Sequence, residues 1–193
     1  MSSIPKTRLE AFSDGVIAIL ITIMVLELKP PASADVTALK PLLPTFFSYV
    51  LSFVYLAIYW NNHHHMLHAT KQVNGRVMWA NLHLLFWLSL FPFTSAWLGK
   101  THGAPWPTAL YGLVLLMASL AYPILQRSIV KLEGKDSMLA VALGKTQKEK
   151  ISMACYITAI ALAFITPWIA NTLYVIAALL WIVPDTRIER LTQ

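Results

Sequence analysis

Residues 8–28 read RLEAFSDGVIAILITIMVLEL, and the rest of the chain is organised around them. The head of this stretch is polar, with Arg8, Glu10, Ser13 and Asp14. From Val16 to Leu26 only Thr22 interrupts the apolar side chains. A core helix of a soluble protein shows one apolar and one wet face, whereas a segment apolar all round reads as a membrane helix. At ~1.5 Å of rise per residue it covers roughly 31 Å, close to the hydrocarbon thickness of a bilayer. A turn of about 100° per residue sets Ile19, Ile23 and Leu26 on one stripe, bordered by Thr22. Ser13 and Asp14 point elsewhere, so the helix carries a polar pair on one side and a branched aliphatic stripe on another.

The composition agrees with a membrane protein. The 193 residues are 57% hydrophobic and 12% charged, with a mean hydropathy of +0.60. Soluble domains carry about 25% charged residues, so this chain lacks a solvated surface. One multi-pass domain over 1–193 is the expected organisation. The formal charge of +6 resides in loops between apolar spans, where basic residues orient a protein at a lipid surface. No basic stripe accompanies it, which argues against a nucleic-acid partner. Cys155 is the single cysteine, so neither an intrachain disulfide nor a cysteine-based metal site is available. The first apolar run is too long for a signal peptide, has acids at its start, and ends in Glu27 and Lys29 rather than a cleavage site.

Six spans are expected, at 8–28, 42–67, 78–98, 107–126, 151–170 and 173–183. The last two form a tight hairpin across Asn171 and Thr172, and the sixth is short for a full crossing. Pro92, Pro123 and Pro167 fall within spans as kinks, while Pro30, Pro31 and Pro184 act as stops. Trp79, Trp97, Trp106, Trp168 and Trp181 lie near span ends, as an interfacial belt requires. With the N-terminus inside, twelve of the 15 Lys and Arg fall in cytoplasmic segments and three (Lys29, Lys40 and Lys100) in outer loops. The positive-inside rule therefore predicts a cell-membrane protein with both termini cytoplasmic.

Ionisable groups at membrane depth need partners. Asp14, one turn into its span, requires hydrogen bonds or a cation. Together with Ser13 it is expected to pin the first helix to its neighbours. The run Trp60-Asn61-Asn62-His63-His64-His65-Met66-Leu67-His68 supplies candidate partners, and His83 is another, because imidazole donates and accepts at once. His64 and His68 share a helical face at i, i+4 and are weak zinc candidates, but no acidic or cysteine ligand lies nearby and no HEXXH motif is present. The Ile19, Ile23 and Leu26 stripe packs against another helix in the plainest reading. Copies around a symmetry axis would instead turn each position into a ring, and aliphatic rings gate by dewetting. Thr22 would add a polar layer, and Glu27, at the outer mouth, would concentrate cations. There is no TVGYG-like carbonyl filter, nucleotide-binding loop, nucleophile elbow or dinucleotide fingerprint, so nothing points to an enzyme.

Arg8-x-x-x-Phe12-Ser13-Asp14 opening the first of six spans resembles the signature of the transmembrane protein 175 potassium channels in their short prokaryotic form. The 60–65 segment and the run Leu180-Trp181-Ile182-Val183-Pro184-Asp185 are also similar to that family. The resemblance implies an all-α membrane protein: a homotetramer of six-helix subunits with a central pore lined by helix 1. It implies potassium conduction without a cofactor, through aliphatic rings that carried over by position are Ile19, Ile23 and Leu26, with Thr22 as the polar layer. It also implies that Arg8, Ser13 and Asp14 bond to tryptophan and histidine of neighbouring helices, mapped here to Trp60, His64 and His83. Ideal helix geometry sets Arg8 and Phe12 near the pore stripe, away from Asp14, so Arg8 is expected to reach another helix or subunit. The competing functions are a proton-coupled secondary transporter, against which stand the missing inverted repeat and the scarcity of midplane charge, and a non-conducting oligomeric scaffold.

Overall fold

The computed structural model describes residues 5–134, 136–137, 139–140 and 147–182. Among these the chain is all-helical: α1 Lys6–Val25, a 3-10 segment Val36–Leu42, α2 Leu43–His68, α3 Gly75–Ser89, α4 Phe91–Lys100, α5 Pro105–Glu133, α6 Gln147–Leu162 and α7 Pro167–Ile182. Three helical rods, 36–68, 75–100 and 105–133, are long and apolar enough to cross a membrane. Val183, Pro184, Asp185 and the charges Lys135, Lys145, Arg187 and Arg190 lie outside the described residues.

Proline decides where several helices begin or break. Pro92 sits in the first turn of α4, just after Leu90, which belongs to neither helix (φ −86°, ψ −9°). The expected third span is therefore a rod with a joint. Pro123 lies inside a continuous α5, which runs seven residues past its expected end to Glu133. The hairpin between the last two helices differs from the expectation at Asn171 and Thr172. The turn falls at 163–166, and Pro167 opens α7 instead of kinking α6. A proline is tolerated in the first turn, where its missing N–H has no partner to lose, and is costly in an interior. Asn171 then lies inside α7, with its amide donating to the Pro167 carbonyl at 2.9 Å.

Successive rods run antiparallel, and polar contacts mark the two ends of the bundle. At one end the Lys6 ammonium donates to the His68 carbonyl at 3.2 Å. At the same end the Glu133 carboxylate accepts the backbone N–H groups of Lys71 and Gln72. At the other end Lys100 pairs with Glu27 at 2.6 Å. The core lies among α2, α3, α4 and α5, around Leu56, Leu84, Leu88, Phe91, Tyr111 and Leu115, all fully buried. Buried tyrosines span it with their hydroxyls satisfied. Tyr55 donates to the Tyr174 carbonyl at 2.6 Å, Tyr174 to the Thr108 carbonyl at 3.0 Å, and Tyr111 lies 3.0 Å from the Ser52 hydroxyl.

Two glycines let helices close on one another. A Cβ at Gly99 would lie 2.5 Å from both the Ser48 hydroxyl and the Thr45 Cα of α2, and one at Gly112 would overlap the Tyr174 hydroxyl of α7. Helix α1 sits at the margin of the bundle, packed on α2, α3 and α4.

Candidate pore helix and its buried anchor

The buried face of α1 is Leu9, Ser13, Ile17, Leu20 and Met24, spaced at helical intervals. Ser13 is the polar member of that apolar row and is wholly buried. Its hydroxyl donates to the Leu9 carbonyl at 2.8 Å, leaving its oxygen to accept from the Asn81 amide of α3 at 2.9 Å. That fixes the orientation of Asn81, whose side-chain oxygen faces the His63 Nε2 of α2 at 2.7 Å. His63 must therefore carry its proton on Nε2 and donate it. The relay His63–Asn81–Ser13 links α2, α3 and α1 through groups that are each at most 1% exposed. Among the described residues no buried side-chain nitrogen or oxygen lacks a partner.

Asp14 is served by a different helix. Its carboxylate accepts the Trp60 indole N–H of α2 at 2.9 Å. Consecutive helical residues are about 100° apart, so Ser13 and Asp14 open onto different neighbours and one imidazole does not satisfy both. His64 is stacked on Trp60, with ring centroids 6.0 Å apart. His83 accepts from Trp87 of its own helix at 3.0 Å. The structure thus brings Trp60 to Asp14, while His64 lies one layer behind and His83 serves α3. His64 and His68 are 6.3 Å apart between ring centroids, and the described residues contain no group of three or more His, Cys, Asp or Glu disposed to hold a metal ion.

The aliphatic stripe lies about 110° round α1 from the Ser13 face. Ile19, Ile23 and Leu26 are 56%, 44% and 66% exposed, and Phe12 shares that side. Thr22 is exposed as well, and its hydroxyl proton is spent on the Ile19 carbonyl at 2.8 Å. Its oxygen therefore presents lone pairs outward, as a cation would need. Arg8 lines a crevice with Leu9, Phe12, Met78 and Leu82, between α1 and α3. Glu27 follows the end of α1, where the hydrogen bond and charge of Lys100 hold its carboxyl below the usual range. Its negative charge is thereby matched by a neighbour, which weakens it as a cation attractor.

Sequence reasoning passed over Asn81, His63 as the buried member of its run, and Lys100. A signal for Asn81 was present, since it is the lone amide side chain of a largely apolar helix and such a group needs a partner.

An apolar helical bundle, with a marginal first helix keyed in by buried polar groups and bare on its aliphatic side, defines an all-helical membrane protein. The chain belongs to the TMEM175 potassium channel family. The family described as endosomal/lysosomal potassium channel TMEM175 is matched by residues 8–92. A potassium channel of Chryseobacterium sp. (strain P1-3) is 52% identical over 185 residues, covering 96% of each chain. A potassium channel of Chamaesiphon minutus (strain ATCC 27169 / PCC 6605) is 28% identical over 84% of this chain and 86% of its own. The fold is similar to the crystal structure of a lysosomal potassium-selective channel TMEM175 homologue from Chamaesiphon minutus. The TM-score is 0.79 at 26% identity, over 93% of this chain and 97% of that one.

Proposed function

We propose that four copies of this chain, each a single six-span domain over 1–193, assemble around an axis lined by α1 and conduct potassium through it. The six crossings are α1, α2, the jointed α3 and α4, α5, α6 and α7. Ile19, Ile23 and Leu26 form the narrow rings, Thr22 gives an oxygen layer between them, and Glu27 lies at the outer mouth. Both termini face the cytoplasm, by the loop charges. The observation that carries this reading is the bareness of the Ile19–Ile23–Leu26 stripe on a helix whose other side is fixed by the Ser13 and Asp14 contacts. A stripe spent on packing within one subunit would be buried.

In the assembly the potassium ion sheds part of its water at an apolar neck, and Thr22 oxygens replace some of it. Arg8 reaches the adjoining subunit from its exposed position. No cofactor takes part.

The test is potassium flux from liposomes with Ile23→Asn beside the parent chain. A dewetting constriction passes more ions with less preference for potassium over sodium once one ring is polar. No flux from either protein would leave a scaffold, and stoichiometric proton movement would leave a coupled transporter. A monomer in mild detergent would remove the axis on which the proposal depends.

A further inference from the structure

The end of α1 is wound more tightly than its body. The N–H groups of Leu26, Glu27 and Leu28 bond to the carbonyls three residues back, those of Ile23, Met24 and Val25, at 3.1, 3.2 and 3.1 Å. In such a turn side chains three apart eclipse one another. Leu26 therefore stands above Ile23 and continues the bare stripe, while Glu27 stands above the buried Met24. The carboxylate is thus turned from the stripe toward the bundle, where Lys100 in the last turn of α4 meets it at 2.6 Å. Lys29, two residues further along the chain, acts on it as well, through its charge.

The acid at this end of the bundle is outnumbered. Glu27 brings one negative charge against the two positive charges of Lys29 and Lys100. The other charges between α1 and α2 cancel. Asp35 accepts the Thr37 N–H at 2.9 Å and so caps the 3-10 segment, and Lys40 lies within that segment. Residues 101–104 and 163–166, the other turns at this end, contain no lysine, arginine or carboxylate. Each subunit therefore presents a net positive charge here. A mobile ion responds to the sum of these charges when salt is low, because the Debye length is ~30 Å at about 10 mM and only ~3 Å at about 1 M.

We propose that Lys100 limits the entry of potassium from the outer side. This rests on the channel reading above, with α1 around the axis. By pairing with Glu27, Lys100 cancels the one acid at the end of the pore helix and leaves Lys29 to set the sign. Four copies then form a positive collar above the Leu26 ring. Glu27 moderates that collar and does not draw cations in.

The experiment measures potassium current entering from the outer side, with the full-length protein in planar bilayers of uncharged phosphatidylcholine, at about 10 mM and about 1 M KCl. Lys100→Met and Glu27→Gln both break the bridge but change the collar in opposite directions. At low salt Lys100→Met should carry about threefold more current than the parent, and Glu27→Gln about threefold less. Lys100→Glu should exceed Lys100→Met, and all four proteins should converge at high salt. Lys29→Gln removes the same charge without touching the bridge and should match Lys100→Met, so it carries the test if a bridge variant fails to assemble. Shifts of Lys100→Met and Glu27→Gln in the same direction would make the bridge a structural lock and overturn the proposal. Parent-like current at low salt in Lys100→Met or Lys29→Gln overturns it too, as does a difference that survives at high salt. These results leave the channel reading standing, whereas a parent protein that passes no potassium removes that reading and this proposal together.

Discussion

Replacing Asn81 with leucine tests the anchor of α1 most directly. The substitution keeps the number of side-chain heavy atoms and the branch at Cγ, so no cavity opens and the cost comes chiefly from the polar groups left behind. Two interhelical hydrogen bonds disappear, from the Asn81 amide to Ser13 and from His63 to the Asn81 oxygen. Interhelical bonds in membranes average about 0.6 kcal/mol and reach about 1.7 kcal/mol. Ser13 keeps its donation to the Leu9 carbonyl, so its loss lies at the lower end. His63 is left with a buried N–H and nothing to receive it, which costs about 1–3 kcal/mol. The expected destabilisation is therefore about 2–3 kcal/mol, a thirtyfold or greater shift in the folded-to-unfolded ratio. The assay is reversible unfolding by denaturing detergent in mixed micelles, followed by circular dichroism. A cycle with His63→Leu adds a sharper criterion. Once the imidazole is gone, Asn81→Leu should cost about 1 kcal/mol or more less than it does alone. Strict additivity, or a wild-type midpoint for Asn81→Leu, would mean that the relay does not hold α1 in place.

Three further outcomes follow from other contacts. Trp60→Phe keeps the stacking surface for His64 and removes the donor to Asp14; it should destabilise by about 1–2 kcal/mol in the same unfolding assay. Gly112→Ala drives a methyl group into the Tyr174 hydroxyl and against Ile160, so α5 and α7 must part, lowering stability by about 1–3 kcal/mol, whereas Gly15→Ala, with nothing within 4 Å of the added carbon, should unfold no more easily than the parent. The Glu27–Lys100 bridge is half-exposed and worth at most about 1 kcal/mol. Because the folded-state pKa of Glu27 is lowered from 4.5, that contribution is present above the ordinary carboxylate range and is lost as pH falls through the lowered value. Unfolding midpoints of Lys100→Met and the parent should then differ at pH 7 and converge in acid.

The joint in the third rod and the opening of α7 show how far local chemistry can be read. Pro92 and Pro167 announce that a helix cannot continue unaltered, but a proline alone does not say whether it sits in an interior or at a first turn. Residues 163–166 supply the turn, and their sequence, AFIT, is as apolar as the helices it joins. Hydropathy therefore carried the fifth span through it.

By itself the sequence determined that this is a helical membrane protein, that residues 8–28 form its distinctive element, and that Ser13, Asp14 and an aliphatic stripe occupy different sides of that helix. These follow from composition and a fixed angular period, which need no knowledge of neighbours. Only the tertiary structure decided that Asn81 and His63 answer Ser13, that Trp60 answers Asp14, that His83 turns to its own helix, and that Lys100 meets Glu27. Those pairings depend on the rotation and vertical register of α2, α3 and α4 against α1. Register is set by the sum of many apolar contacts across the bundle, and no single residue announces it.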